Sequence, residues 1–454
     1  MEKNSNHKIK KISYVFFLAS FVCIVVVLAI AGVGNKYLVD SKYDSRIKRE
    51  FTKVKRGTIY DRNGNVLTFS KFGDDGYYRV SNYPTLFAHT IGYAHNKYGT
   101  TGIEARFNNI LSGRSGSTPE TKVNNVIFKE KSGDDIYLTL DLNLQQKAKK
   151  QLGNMYGSIV ISDPNSGEIL ASVSNPSYNE IDLNENSFGE NSKSVFLDRA
   201  VQGKYMPGSV MKIVAAINLI QNGDDKEVYN DNGSIKIDES VIKNAGGIRY
   251  GAIDLKTAFA HSVNTYFINE NMKYIDEYKK LVNDINIALK DSADFNYYGM
   301  NVDLGDNNFN KALISIGQGK STASPMAINM LTTSIYNGGY FYSPTYIKKI
   351  QSPVGKISHS KTTKKIYMPF NETVANEVKD YMYEVVKTGT AKGFNLQNCG
   401  GKTGTAELGS GKYNFLFTGF YENEKNSRCV TIVLENCPNF GYNISVEIFK
   451  NLIN

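Results

Sequence analysis

The octapeptide Tyr205-Met206-Pro207-Gly208-Ser209-Val210-Met211-Lys212 runs straight into Ile213-Val214-Ala215-Ala216-Ile217-Asn218-Leu219-Ile220, and this stretch constrains the chain more than any other. The second half is apolar on nearly every side, so a helix there has no face to give to water and must be buried all round. Ser209 and Lys212 lie three residues apart, on one helical face, where hydroxyl and amine can meet. A neutral amine could take the hydroxyl proton and make Ser209 a nucleophile. Neutrality is within reach, because a lysine at the start of a buried helix is desolvated. Lowering its pKa from about 10.4 towards 7 corresponds to roughly 4 to 5 kcal/mol. The same four residues also read as a helix N-terminus capped by Ser209, and the spacing alone does not separate the two readings.

The rest of the chain supplies partners for that helix. Its 454 residues, 41% hydrophobic and 21% charged, describe a folded protein of two or three domains. The net charge of +9 is concentrated at the front: residues 1–62 hold 13 Lys/Arg against 5 Asp/Glu, leaving 40 against 39 in the remainder. A nearly neutral body argues against a nucleic-acid-binding face, which needs a concentrated basic surface.

Ile12 to Gly34 is a run of 23 residues without a charge. As a helix it would measure about 34 Å, enough for a hydrocarbon layer of roughly 30 Å. Lys3, Lys8, Lys10 and Lys11 precede it, which orients the tail of residues 1–11 to the cytoplasm and everything after Gly34 to the outside. A cleaved signal peptide is the rival reading, since Ala29-Ile30-Ala31 has the small-x-small pattern of a cleavage site, but the run exceeds a usual signal core. Cys23, Cys399, Cys429 and Cys437 have neither zinc-site nor disulfide spacing. No cluster of histidines and carboxylates has metal-ligand spacing, so no metal or other cofactor is expected.

Beyond the basic stem, Arg56 to Leu67 reads as a hairpin turned at Asn63-Gly64, and residues 70–137 as a small stalk region rich in glycine. A second domain is expected from Leu138. It holds a short helix at Leu144 to Leu152, an antiparallel hairpin at Ser158 to Ser174, the Ser209 helix and further helices to about residue 290. Helices follow at Pro325 to Tyr336 and Thr373 to Lys387, then two strands over about 400–435 and a last helix at Ile444 to Ile453. Strands at both ends of a helical middle imply an α+β layering.

Two more segments give Ser209 its context. His261-Ser262-Val263-Asn264 follows, with Ser262 53 residues after Ser209, and Gly401-Lys402-Thr403-Gly404-Thr405 places Lys402 140 residues further on. Ser-x-x-Lys, Ser-x-Asn and Lys-Thr-Gly in this order form the set found in serine enzymes that act on β-lactams and D-alanyl peptides. With Gly102-Ile103-Glu104, Asp163 to Ala171, Asn175-Pro176, Ile316-Gly317-Gln318-Gly319 and Ser324-Pro325, the chain from Arg56 onward closely resembles the monofunctional class B penicillin-binding proteins, membrane-anchored D,D-transpeptidases of bacterial cell-wall synthesis.

That resemblance implies a penicillin-binding transpeptidase fold, an antiparallel sheet flanked by helices with a helical subdomain, over residues 138–454. It implies a stalk over 35–137 and a single-pass anchor over 12–34. It further implies Ser209 as nucleophile, Lys212 as its base, Ser262 and Lys402 as proton relay and Asn264 on the substrate amide. Thr403, Gly404 and Thr405 fall to substrate binding, and the N–H groups of Ser209 and Thr405 to an oxyanion hole. Expected partners are peptidoglycan stem peptides, β-lactams as inhibitors, and a polytopic glycosyltransferase in the membrane. A β-lactamase or a D,D-carboxypeptidase would carry the same three segments. A protein acting mainly as a structural activator of a glycan polymerase would carry the anchor and stalk.

Other readings fail on residues. A second Lys-Thr-Gly at Lys387-Thr388-Gly389 closes a helical run, where glycine suits a cap, so Lys402 is the lysine expected in the site. Gly401-Lys402-Thr403 and Gly319-Lys320-Ser321 end like phosphate-binding loops, yet Leu396 and Ile314 stand where the first glycine is required. His261 beside Ser262 suggests a Ser-His-Asp arrangement, but no Gly-x-Ser-x-Gly elbow is present, and a structural role is expected for it.

Overall fold

The computed structural model describes residue 14 and residues 17–25, 52–114, 132–189, 194–290, 292–361, 363–438 and 443–453. Its first turn has a local cause: the buried Asp61 carboxylate accepts the backbone N–H groups of Asn63 and Asn65, each at 2.8 Å. This Asx-type turn joins β1 (Ile59–Tyr60) to β2 (Val66–Gly73), which pairs in turn with β3 (Gly76–Ser81). β4 (Asp135–Leu138) runs parallel to β1 on its other side. Arg56, Arg79 and Glu104 form a buried ion triad behind these strands, with Arg56 Nη2 2.6 Å from the carboxylate. Burial alone would raise the Glu104 pKa, but the Arg79 and Arg56 guanidiniums hold it below the usual value.

Asp141 caps α1 (Leu142–Leu152), accepting the Leu144 N–H at 3.0 Å. The hairpin of β5 (Gly157–Ser162) and β6 (Ile169–Asn175) is buried at every position, as strands covered on both faces must be. After a long loop comes α2 (Lys212–Gln221), buried from Lys212 to Leu219 as its all-round apolarity requires. Residues 229–253, expected to be helical, instead form short two-stranded ribbons. They lead into α3 (Leu255–Ala260), α4 (Asn264–Asn271) and α5 (Ile275–Leu289). Ser324 caps α6 (Pro325–Tyr336), with proline in the first turn where its missing N–H costs nothing.

β7 (Ile347–Gln351) and β8 (Ile357–Ser360) then cross to the first sheet and complete it, in the order β8-β7-β4-β1-β2-β3. Asn371 caps α7 (Glu372–Lys387). Where two strands were expected there are three, β9 (Cys399–Gly409), β10 (Lys412–Tyr421) and β11 (Arg428–Pro438), followed by α8 (Asn443–Ile453). They join the earlier hairpin in an antiparallel sheet of order β9-β10-β11-β5-β6, which leaves β9 as an edge.

Helices cover both faces of that sheet. Phe417 of β10 meets Phe449 of α8 at 4.8 Å between ring centres, whereas Phe420 meets Tyr336 of α6 and Tyr383 of α7 at 5.6 and 5.3 Å. Residues three apart on a strand face opposite ways, so α8, with α1 beside it, lies on one side and α6 and α7 on the other. Gly400 and Gly401 make room for these rings: an added Cβ would come within 2.3 Å of Phe420 and Phe417 respectively. The expected α+β layering is therefore present, with glycines of the edge strand β9 leaving room for the rings of its neighbour.

Tyr14 and residues 17–25 are helical, with Phe17, Leu18 and Phe21 exposed. The remainder of the span expected at residues 12–34 lies outside the described residues. Among the described residues no helix is long and apolar enough to cross a membrane.

Candidate active site

The loop before α2 is shaped by its close approach to β9. Gly208 has φ 54°, a conformation that suits glycine, and an added Cβ would lie 2.5 Å from the Thr405 carbonyl oxygen. Its N–H donates to the Gly317 oxygen at 2.9 Å, and a Cβ on Gly317 would meet the Gly208 oxygen at 2.0 Å. Gly208–Met211 forms a 3₁₀ turn and α2 begins at Lys212. The capping alternative does not hold, because Met211 is the N-cap of α2 and no side chain caps it. Ser209 is half-buried at the mouth of the site, against the edge strand.

Lys212 and Lys402 are both fully buried, and they converge on one hydroxyl. Lys212 Nζ donates to the Ser262 carbonyl oxygen at 2.7 Å and to Asn264 Oδ1 at 2.8 Å, and lies 3.2 Å from Ser262 Oγ. Lys402 Nζ donates to the same Oγ at 3.0 Å and to the Thr403 oxygen at 3.2 Å. Burial, and then the nearby Lys402 charge, pushes the Lys212 pKa well below the lysine range. Burial alone brings Lys402 down to about 7. A neutral Lys212 fits its surroundings: two hydrogens satisfy the Ser262 and Asn264 oxygens, which can only accept, and the lone pair remains for a hydroxyl hydrogen. Among the described residues Lys212 makes no hydrogen bond to Ser209, so the direct meeting suggested by their spacing is not formed in this geometry.

Ser262 sits where the backbone is strained. Its φ of 58° is left-handed for a residue with a Cβ, a conformation costing about 1–3 kcal/mol and concentrated at functional sites. The turn from α3 into α4 imposes it, aiming the hydroxyl between the two amines. Asn264, the first residue of α4, also donates from Nδ2 to the Lys243 oxygen at 3.0 Å, leaving one amide hydrogen and one lone pair for a ligand.

On β9, Thr403 is nearly buried and Thr405 half-buried, and Gln318 Nε2 donates to the Thr405 oxygen at 3.1 Å. Gly404 passes close under the loop, where a Cβ would lie 2.8 Å from the Pro207 oxygen. The Ser209–Lys212 segment, the Ser262–Asn264 turn and residues Lys402, Thr403, Gly404 and Thr405 of β9 are thus brought together where the start of α2, the start of α4 and the edge strand meet. His261 turns away and packs 5.3 Å from the Tyr250 ring. Lys387 is exposed in the last turn of α7.

Comparison with known proteins agrees with this fold. Residues 157–454 match the family described as the penicillin binding protein transpeptidase domain, and residues 56–136 match the penicillin binding protein A dimerisation domain. The chain belongs to the class B penicillin-binding proteins. This penicillin-binding protein is 28% identical over 427 residues to the peptidoglycan D,D-transpeptidase MrdA of Acinetobacter baumannii, covering 77% of the chain and 62% of that relative. It is 24% identical to the peptidoglycan D,D-transpeptidase PbpA of Mycolicibacterium smegmatis, covering 87% of each. Among solved structures, the D,D-transpeptidase domain of a peptidoglycan glycosyltransferase from Eggerthella lenta superposes with a TM-score of 0.78 at 25% identity, over 88% of this chain and 97% of that one. Penicillin-binding protein A of M. tuberculosis, as an imipenem acyl-enzyme complex, superposes at 0.80 with 21% identity, over 89% and 98%.

Two residues of this penicillin-binding protein's cleft escaped the sequence reading. Gln318 was legible only as part of a glycine-flanked segment. Thr390, whose Oγ1 lies 2.8 Å from Thr403 Oγ1, belongs to the stretch set aside as the wrong Lys-Thr-Gly copy.

Proposed function

We propose that this chain is a serine D,D-transpeptidase that crosslinks peptidoglycan stem peptides through an acyl-enzyme on Ser209, and that β-lactams acylate the same serine. The observation that carries this reading is the Ser262 hydroxyl held between the Lys212 and Lys402 amines, with Ser209 in the turn that leads into Lys212. Ser209 Oγ attacks the carbonyl between the two terminal D-alanines, and Lys212, neutral through burial, takes its proton. Catalytic hydrogen bonds are often long before substrate binds, so the Ser209 contact is expected to close in the complex. The N–H groups of Ser209 and Thr405 stabilise the oxyanion on either side of the Gly208 approach to β9.

The proton then passes by way of Ser262 and Lys402 to the leaving D-alanine amine, while Asn264 uses its spare amide hydrogen on the peptide. Thr403 and Thr405, with Gly404 between them and the Lys402 charge near, take the terminal carboxylate. An amine from a neighbouring strand attacks the ester and releases Ser209. In the cell, residues 12–34 serve as a single-pass anchor with the N-terminus in the cytoplasm, residues 35–137 as stalk and residues 138–454 as catalytic domain. A polytopic glycosyltransferase is the proposed membrane partner.

The test is mass measurement of the intact protein and of its proteolytic peptides after exposure to a fluorescent penicillin. Wild type is expected to gain one adduct on the peptide containing Ser209, and Ser209→Ala none. Labelling that survives Ser209→Ala would refute the assignment.

A further inference from the structure

Resting on that reading of the cleft, we propose that Thr390 is a positioning residue that fixes the direction of the Thr403 hydroxyl and so sets the grip on the substrate carboxylate. After α7 the chain turns at Thr388 and presses Gly389 against α3, where a Cβ on Gly389 would lie 2.1 Å from the Ala260 oxygen. The next residue, Thr390, donates its N–H to that same Ala260 oxygen at 3.1 Å and places Oγ1 2.8 Å from Thr403 Oγ1. Ala260 ends α3, two residues before Ser262. Thr390 is therefore fastened by its backbone to the segment carrying Ser262 and by its side chain to the strand carrying Lys402.

The consequence follows from what a hydroxyl can do. Thr403 Oγ1 has one hydrogen and two lone pairs, and Thr390 is its hydrogen-bond partner among the described residues. When Thr390 donates, a Thr403 lone pair is occupied and its hydrogen is left to point at an anion. When Thr403 donates to Thr390, that hydrogen is turned away. A carboxylate beside Thr403 selects the first arrangement, and the fixed Thr390 backbone keeps its hydroxyl where the donation works.

The experiment measures second-order acylation of the full chain by benzylpenicillin and by its methyl ester, which lacks the carboxylate charge. The proteins are wild type, Thr390→Val, Thr390→Ser, Thr403→Ala and the Thr390→Val/Thr403→Ala double variant, each with a melting temperature. Thr390→Val is expected to slow acylation by benzylpenicillin about tenfold, the scale of one hydrogen bond to a charged group. The loss should lie in weaker binding before acylation, with the limiting acylation rate kept. Thr390→Ser should restore the rate, the slower reaction with the ester should be equal in wild type and Thr390→Val, and the valine should add nothing once Thr403 is alanine. Equal losses towards acid and ester, full additivity of the two substitutions, or a serine variant as impaired as valine would each overturn the proposal. A folded wild type without a Ser209 adduct would instead refute the underlying transpeptidase reading, and this proposal with it.

Discussion

The chain contains Lys-Thr-Gly twice, at 387–389 and at 402–404, and the structure gives the two copies opposite surroundings. Lys387 is exposed in the last turn of a helix, whereas Lys402 is sealed in the edge strand of the sheet with its amine on Ser262. Gly389 earns its place by packing on Ala260 and Gly404 by passing under Pro207. The letters are the same, but burial and the fold element set the two lysines apart, and burial lowers the pKa of Lys402. The discarded copy still reaches the cleft, though through Thr390 and not through its lysine.

The strongest way to break this contrast is to keep the charge and remove the ability to lose a proton. Lys212→Arg is expected to reduce acylation by a penicillin about 10²–10⁴-fold, the range of a general base, since a guanidinium does not deprotonate at accessible pH. Near-normal acylation in a folded Lys212→Arg protein would show that the proton leaves Ser209 by another route. Lys402→Ala comes next, with an expected loss of about 10²-fold in acylation, the scale of one preorganised electrostatic contact.

A third measurement addresses the buried amine directly. In the unfolded chain Lys402 titrates near about 10.4. In the fold, burial brings it down to about 7. Between those values the unfolded chain binds more protons, so stability rises with pH through that window, and the penalty of burying the lysine is complete below it. Lys402→Met should therefore melt above wild type at neutral pH, with the gap closing as pH approaches the upper limit. A constant gap would mean that Lys402 does not titrate as a buried amine. Acylation by wild type should fall as pH drops and Lys212 gains its proton, with an apparent pKa belonging to the coupled pair of lysines. The smallest effect closes the comparison: Lys387→Ala should change stability by less than about 0.5 kcal/mol, as exposed substitutions do, and leave acylation unchanged.

What the sequence disclosed follows from how local each signal was. α6 was legible to its end residues because Ser324 caps it and Pro325 opens it. Ser209, Lys212, Ser262, Asn264 and Lys402 stand out in the sequence as three spaced segments, but the convergence of Lys212 and Lys402 on the Ser262 hydroxyl depends on a left-handed backbone at a residue with a Cβ. The 3₁₀ turn at Gly208–Met211 was missed because it answers to the approach of β9, nearly 200 residues away in sequence, and not to its own residues. The ribbons at 229–253 are short patterns that pairing alone stabilises, whereas the three strands from Cys399 to Pro438 are long and follow one another so closely that they read as two. Thr390 could not be found from spacing, since its role exists only once the end of α7 docks on α3.

The first sheet carries a consequence for synthesis. β4 ends at Leu138, yet its outer neighbour β7 starts at Ile347, so a ribosome adding 5–20 residues per second makes the two strands roughly 10–40 s apart. Throughout that interval β4 has an open row of backbone donors and acceptors, the template on which a second nascent chain would pair. Vectorial emergence therefore sets a waiting period for the part of the protein made first, and its last strand arrives only after most of the chain has been built.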